Sequence, residues 1–257
     1  EGLLSTPAAS CVIRKYQAQG GLILSASHNP GGPQGDFGIK YNIANGGPAP
    51  EAITEAIYAQ SKAITQYQYV TDNLPSLDSL GTSKLGNMSI EVIDPVKDYA
   101  DLMAEQFDFA QIRRLLGSGF QLCFDAMHAV TGPYAHEILH KRLGAPSHSL
   151  LRATPLADFG GSHPDPSPIH CPELFALTQG KEAIDFAAAS DGDGDRNMIL
   201  GRDCFVSPSD SLAILAANAR CFPAYANGIT GIARSMPTSQ AADRVAEKAG
   251  IACFKTP

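Results

Sequence analysis

Ile184-Asp185-Phe186-Ala187-Ala188-Ala189-Ser190-Asp191-Gly192-Asp193-Gly194-Asp195-Arg196-Asn197-Met198-Ile199-Leu200 is the stretch that decides the fold. The apolar run 184–189 is too short for an ordinary helix. It gives way to turn-forming residues and then to a second short run, 197–200, so the segment reads as strand, loop, strand. In the loop, Asp191, Asp193 and Asp195 alternate with glycines. Alternate side chains of an extended segment point to one side, and the glycines let the backbone turn without steric penalty. Each pair of like charges at ~4 Å costs roughly 1 kcal/mol in water and about 4 kcal/mol at a protein-like dielectric, so a cation between them is favoured. An all-oxygen donor set suits Mg²⁺, Mn²⁺ or Ca²⁺ rather than zinc. An EF-hand is excluded: its sixth position would be Arg196 instead of Gly, and its twelfth Arg202 instead of Glu. A solvated acidic turn and a purely structural cation site are the plainer alternatives to a catalytic one. The adjacent Arg196 suits a phosphorylated ligand.

Working outward, helix and strand signals alternate. Residues 7–19 read as a helix stopped by Gly20-Gly21, 21–25 as a buried strand, 39–43 as a strand, and the segment from Pro50 as a helix with Ile53, Ile57 and Ile64 on one face. Residues 71–87 read as a loose polar connection, 90–93 as a strand, and 96–116 as a helix or two. Residues 120–124 (strand), 134–143 (helix) and 184–200 form a second α/β unit, with 154–172 as an ordered loop. A helix from Ser207–Ser209 to about Arg220 follows. Residues 229–233 (strand), 238–249 (helix) and 251–254 (strand) begin a third unit. The expected fold class is α/β, in successive domains with mainly parallel, mixed sheets. The expected division is 1–94, 95–218 and 219–257. In open α/β sheets ligands bind beyond the carboxyl ends of strands, and a second loop, Ser25-Ala26-Ser27-His28-Asn29-Pro30-Gly31-Gly32, also follows an apolar strand. It reads either as a turn or as a nucleophilic or phosphorylated serine beside His28. A phosphoserine carries about −1.5 to −2 charges, which a cation at the Asp run would balance. Lys40 is a candidate acid or base near the same cleft.

Composition bounds the partners. The 257 residues carry a net charge of −7, 44% hydrophobic and 18% charged residues, which fits a globular chain without a dominant nucleic-acid-binding face. No apolar run approaches a membrane span. Six cysteines without a C-x-x-C pair favour free thiols and a cytoplasmic setting. His136-Glu137-Ile138-Leu139-His140 matches H-E-x-x-H, but only three positions are fixed and no third ligand follows at a suitable spacing. The chain starts at Glu1 and stops at Pro257 just after the strand-like 251–254, which reads as a piece of a longer protein.

The two loops together resemble those of the α-D-phosphohexomutases: 25–32 their phosphoserine loop, 191–196 their metal loop. Gly35-Asp36-Phe37-Gly38-Ile39-Lys40-Tyr41-Asn42, Asp125-Ala126-Met127-His128, Asp158-Phe159-Gly160-Gly161, His163-Pro164-Asp165-Pro166 and Arg234-Ser235-Met236-Pro237-Thr238-Ser239 are similar to its glucose-specific branch. Ser25 stands where the family often has Thr. The resemblance implies phosphorylation of Ser27. It implies Mg²⁺ held by Asp191, Asp193, Asp195 and a phosphoryl oxygen on Ser27. His28 and Lys40 would assist proton transfer and charge balance, with Asn29 and Arg196 beside the phosphate. It also implies interconversion of glucose 1-phosphate and glucose 6-phosphate through glucose 1,6-bisphosphate, which doubles as activator. The implied partners are small sugar phosphates, with no nucleic acid or membrane, in a monomer or weak dimer. A mutase for mannose or glucosamine phosphates, or a non-catalytic scaffold relative, is the alternative. The family has four domains, and this chain resembles the later part of the first, the second and the start of the third, so the piece alone is expected to be inactive.

Overall fold

The structure, a computed structural model, describes residues 2–71 and 74–257. Helix α1 (Thr6–Lys15) starts where Ser5 Oγ accepts the amide of Ala8, a side-chain cap for an orphan donor. It buries Ala8, Ala9, Cys11 and Ile13 and ends at Lys15, short of the expected 19, because Gln17 takes a left-handed φ of 52°. Strands β1 (Gly20–Leu24) and β2 (Ile39–Ile43) pair antiparallel, Ile23 opposite Lys40. Directly opposed residues share a face, so Lys40 lies on the inner side with buried Ile23. Leu22 and Leu24 are 73% and 69% exposed. The expectation of a fully buried strand is corrected: only one face of β1 is covered by described residues. Helix α2 (Glu51–Ala63) follows Pro50 as expected, with Ile53 and Ile57 exposed.

The expectation of a loose connection over 71–87 partly fails. Asp72 and Asn73 lie outside the described residues, but β3 (Gly81–Leu85) and β4 (Met88–Val92) form an antiparallel hairpin turning at Gly86, φ 58°. Helices α3 (Pro95–Gln106) and α4 (Phe109–Gly117) are capped by Asp94 and Asp108. α3 packs on α1 through Asp98, whose carboxylate takes Lys15 Nζ at 2.6 Å and the Tyr16 hydroxyl at 3.0 Å.

The central sheet has the order β6-β5-β7-β8-β9. Its strands are β5 (Leu122–Asp125), β6 (Leu150–Leu151), β7 (Phe186–Ser190), β8 (Asn197–Gly201) and β9 (Cys204–Val206). β5 runs parallel to β6 and β7, whereas β7-β8 and β8-β9 are antiparallel. The chain is therefore α/β with mixed sheets, and parallel pairing is less pervasive than the alternation suggests. Helix α5 (Gly132–Ala135) runs on into a π-helical segment, His136–Arg142. Helix α6 (Pro172–Leu177) delivers Leu174 to the core beside Cys123, Met127, Ala187, Ala189, Met198 and Leu200. The helix expected over 207–220 is broken: only α7 (Ser211–Ala217) is α-helical, between 3-10 turns. α7 joins the hydrophobic cluster of the last unit, where α8 (Ala241–Ala249) covers the parallel pair β10 (Gly231–Ser235) and β11 (Ala252–Thr256).

Candidate active site

The Asp loop leaves the carboxyl end of β7, and the loop after β5 lies beside it, since Thr131 Oγ1 and Ser190 Oγ sit 2.6 Å apart. The Ser27 loop leaves β1 and comes down on both. Two glycines permit this. A Cβ on Gly192 would stand 2.2 Å from the carbonyl oxygen of Ser27, and one on Gly38 would stand 2.3 Å from that of Ser25. Both are impossible approaches to backbone atoms. Ser27 itself has φ 60°, a region few non-glycine residues adopt. It is held there by its amide donating to Ser25 Oγ at 2.9 Å. The Ser27 hydroxyl donates to Asp191 Oδ2 at 3.5 Å.

Asp191, Asp193 and Asp195 bring one carboxylate oxygen each within 4.8 Å of one another. Asp191 is fully buried, Asp193 nearly so, and Asp195 is partly open. Lys40 occupies the inner side of the cluster, its Nζ donating to Asp193 Oδ2 at 2.5 Å and to Asp195 Oδ2 at 3.4 Å. The N-terminus of α1 supplies more positive potential: Thr6 Oγ1 donates to Asp193 Oδ2 at 2.6 Å, and Thr6 N to the Asp193 carbonyl at 2.7 Å. Electrostatics separates the carboxyls. Burial pushes Asp191 up to about 6, with the charges of Asp193 and Asp195 adding to it. Burial also opposes ionisation of Asp193, but the hydrogen bonds from Lys40 and Thr6 and the Lys40 charge outweigh it and hold that carboxyl below the usual range. Lys40 is desolvated, yet Asp193 and Asp195 keep its ammonium protonated above the ordinary lysine range. The donor set suits a hard divalent ion. One oxygen, Asp193 Oδ1, is buried with no hydrogen-bond partner, the state a metal ligand has before it is used.

Arg196 closes the loop through its amide, which donates to Asp191 Oδ1 at 3.0 Å, and its guanidinium donates to His28 Nδ1. A guanidinium only donates, so this nitrogen accepts and a neutral ring carries its proton on Nε2. Asn29 turns from the carboxylates and donates to Asp36 at 2.7 Å. Ser27, His28, Lys40, Arg196 and the three aspartates thus converge, with Asn29 at the edge. A cavity of about 530 Å³ opens beside them, lined by Ser27, Asn29, His128, Phe159, Gly192 and Asp193 among others, within the range of small-ligand sites.

Sequence reasoning gave no role to Thr6 or His128. Ser5-Thr6-Pro7 is a legible helix start, but nothing local shows that it faces the Asp loop. His128 reaches the cavity through two successive left-handed residues, Met127 (φ 53°) and His128 (φ 55°), which no pattern announces. His136 is exposed, His140 donates through Nδ1 to the Ala145 carbonyl, and Glu137 is engaged by Arg142 and Lys141. Among the described residues, only the aspartate triad groups three ligands closely enough for a metal.

Two family models match stretches of this chain. Phosphoglucomutase/phosphomannomutase alpha/beta/alpha domain I matches residues 1–68, and domain II of the same family matches 97–203. The chain belongs to the phosphoglucomutase/phosphomannomutase family. It is 63% identical over 256 residues to a phosphoglucomutase of Rhizobium radiobacter, covering all of this chain and 47% of that protein. It is 53% identical over 258 residues to the chloroplastic phosphoglucomutase 1 of Marchantia polymorpha, again over the whole chain and 40% of the relative. The open-form crystal structure of the Paramecium phosphoprotein parafusin, a phosphoglucomutase, superposes with a TM-score of 0.91 at 46% identity, covering all of this chain and 48% of that one. The chain therefore spans about half the length of these family members.

Proposed function

We propose that this chain carries the chemical centre of a phosphoglucomutase that interconverts glucose 1-phosphate and glucose 6-phosphate. The observation that carries the reading is the Ser27 hydroxyl 3.5 Å from Asp191, in a cluster whose Asp193 Oδ1 is buried and unpartnered. Family relatives bearing that name at 51–63% identity over the whole chain support it. Mg²⁺, held by Asp191, Asp193, Asp195 and a phosphoryl oxygen on Ser27, supplies charge neutralisation for the transferring group when bound. The bond from phosphorus to Ser27 Oγ breaks as a bond to a sugar hydroxyl oxygen forms. The hydroxyl gives up its proton and Ser27 Oγ gains one, giving glucose 1,6-bisphosphate, and the reverse step from its other phosphate restores phospho-Ser27. We assign His28 and Lys40 to this proton transfer and to charge balance, and Arg196 and Asn29 to the neighbourhood of the phosphate. The division 1–94, 95–218 and 219–257 and a cytoplasmic setting belong to the same reading. The matched stretches fall inside the first two units, all six cysteines are free, and among the described residues no helix is long and apolar enough to cross a membrane.

The test is intact mass after incubation with glucose 1,6-bisphosphate and Mg²⁺. One added phosphate, absent from Ser27→Ala, is expected. An unmodified wild-type chain, or a phosphate that persists in Ser27→Ala, would overturn the assignment.

A further inference from the structure

His128 stands at the carboxyl end of β5 and lines the same cavity as Ser27, Asn29 and Asp193. Its backbone is over-determined. The Met127 amide donates to Asp125 Oδ1 at 2.9 Å, the His128 amide to the Arg152 carbonyl at 2.8 Å, and the Leu156 amide to the His128 carbonyl at 2.9 Å. Asp125 and Arg152 are themselves locked as a two-pronged ion pair, Nε to Oδ1 at 2.9 Å and the terminal nitrogen to Oδ2 at 2.5 Å. Two left-handed non-glycine residues in succession persist only where surroundings impose them, and such strain gathers at ligand sites. The ring is fixed as well. Nδ1 lies 2.8 Å from the Thr154 carbonyl, and a carbonyl only accepts, so Nδ1 carries the proton. In the neutral ring that leaves Nε2 as an acceptor, and among the described residues it has no hydrogen-bond partner. A ring clamped from behind, with a free acceptor and a place in the lining of a sugar-sized cavity, can take a donor from a ligand there. In a sugar phosphate that donor is a hydroxyl group.

We propose that His128 is a specificity-determining contact of the cleft, its Nε2 accepting a hydrogen bond from a ring hydroxyl of the bound hexose phosphate. The inference rests on the mutase reading above.

The test uses two substitutions in a Ser27→Ala background, which prevents phosphoryl transfer. His128→Asn tolerates the left-handed backbone, and its amide still reaches the Thr154 carbonyl, but nothing occupies the place of Nε2. His128→Gln restores a polar group near that place. Binding of glucose 1,6-bisphosphate, orthophosphate and Mn²⁺ is measured by calorimetry or NMR titration. His128→Asn should weaken the sugar bisphosphate about tenfold, roughly one hydrogen bond's worth, while orthophosphate and Mn²⁺ affinities stay unchanged. His128→Gln should recover most of the loss. Equal sugar-bisphosphate affinity in the Asn variant overturns the contact, and an equal loss for orthophosphate overturns its assignment to a hydroxyl. If the Ser27→Ala chain with His128 intact binds no glucose 1,6-bisphosphate, the mutase reading falls and takes this contact with it.

Discussion

Single atoms set the tolerances of this site. Gly192 lets two loops from different units touch, and any side chain there meets the Ser27 carbonyl at 2.2 Å. Gly192→Ala must push the loops apart, at a cost of about 1–3 kcal/mol of overpacking. It should also weaken Mn²⁺ binding at least tenfold, because the Asp191–Asp193 spacing moves with it. Thermal melting and metal titration read both, and wild-type Mn²⁺ affinity in the variant would refute the argument. Much at this scale was legible from sequence. The Asp-Gly alternation announced convergent carboxylates, and Ser27, His28, Lys40 and Arg196 do assemble around them. Thr6 and His128 were not legible, because one acts through a helix N-terminus and the other through positive φ angles. Both depend on contacts made more than a hundred residues away or on backbone states that side-chain identity does not encode.

The elements around the Asp loop tie stability to pH. Asp191 sits near 6 in the folded metal-free chain against 3.8 as a free side chain. The folded state therefore holds an extra proton between those values. Its contribution to stability is complete below about 3.8 and is lost as pH rises through about 6. At pH 7.5 the ionised, buried carboxylate is a liability that a cation relieves. At pH 5 a proton competes with the cation. Mg²⁺ should raise the melting temperature clearly at pH 7.5 and little at pH 5.0, as differential scanning fluorimetry can show, and equal shifts at the two pH values would contradict the assignment. Behind β5, Asp125→Asn leaves the Arg152 guanidinium, which is a quarter exposed, without its counter-charge. Urea denaturation should show a loss of about 3 kcal/mol, the low end for a broken buried pair. Strand reading succeeded where apolar residues are dense, as in β2 and β7, and failed at β3. Gly81-Thr82-Ser83-Lys84-Leu85 has no apolar alternation and is a strand only because β4 pairs with it.

At the scale of the molecule, Asp98 ties α3 to Lys15 and Tyr16 beside the end of α1, so the units bearing Ser27 and the aspartates are joined there as well as at the Asp loop. The exposed Leu22, Leu24, Ile53 and Ile57 show what sequence could not: apolar periodicity tells which face wants cover, not whether the described residues supply it. The chain spans about half of its curated relatives, and binding groups remote from the reacting atoms contribute to reaching the transition state. On its own it should accept phosphate at Ser27 yet show negligible turnover of glucose 1-phosphate in a coupled assay. A rate near that of a full-length relative would refute this.

Lys40 gives the cluster a tethered cation of its own, seated between Asp193 and Asp195. A leash of four methylenes keeps that charge at hand at any salt concentration, so chelation should leave the fold intact instead of springing the carboxylates apart. The same leash makes occupancy audible. A free ion entering the triad must share or displace the ammonium, and a displaced amine swings toward the cleft mouth, where an acylating reagent can find it. Faster labelling of Lys40 in Mg²⁺ than in EDTA would register the exchange directly, and identical labelling rates would mean that lysine and metal occupy the aspartates together.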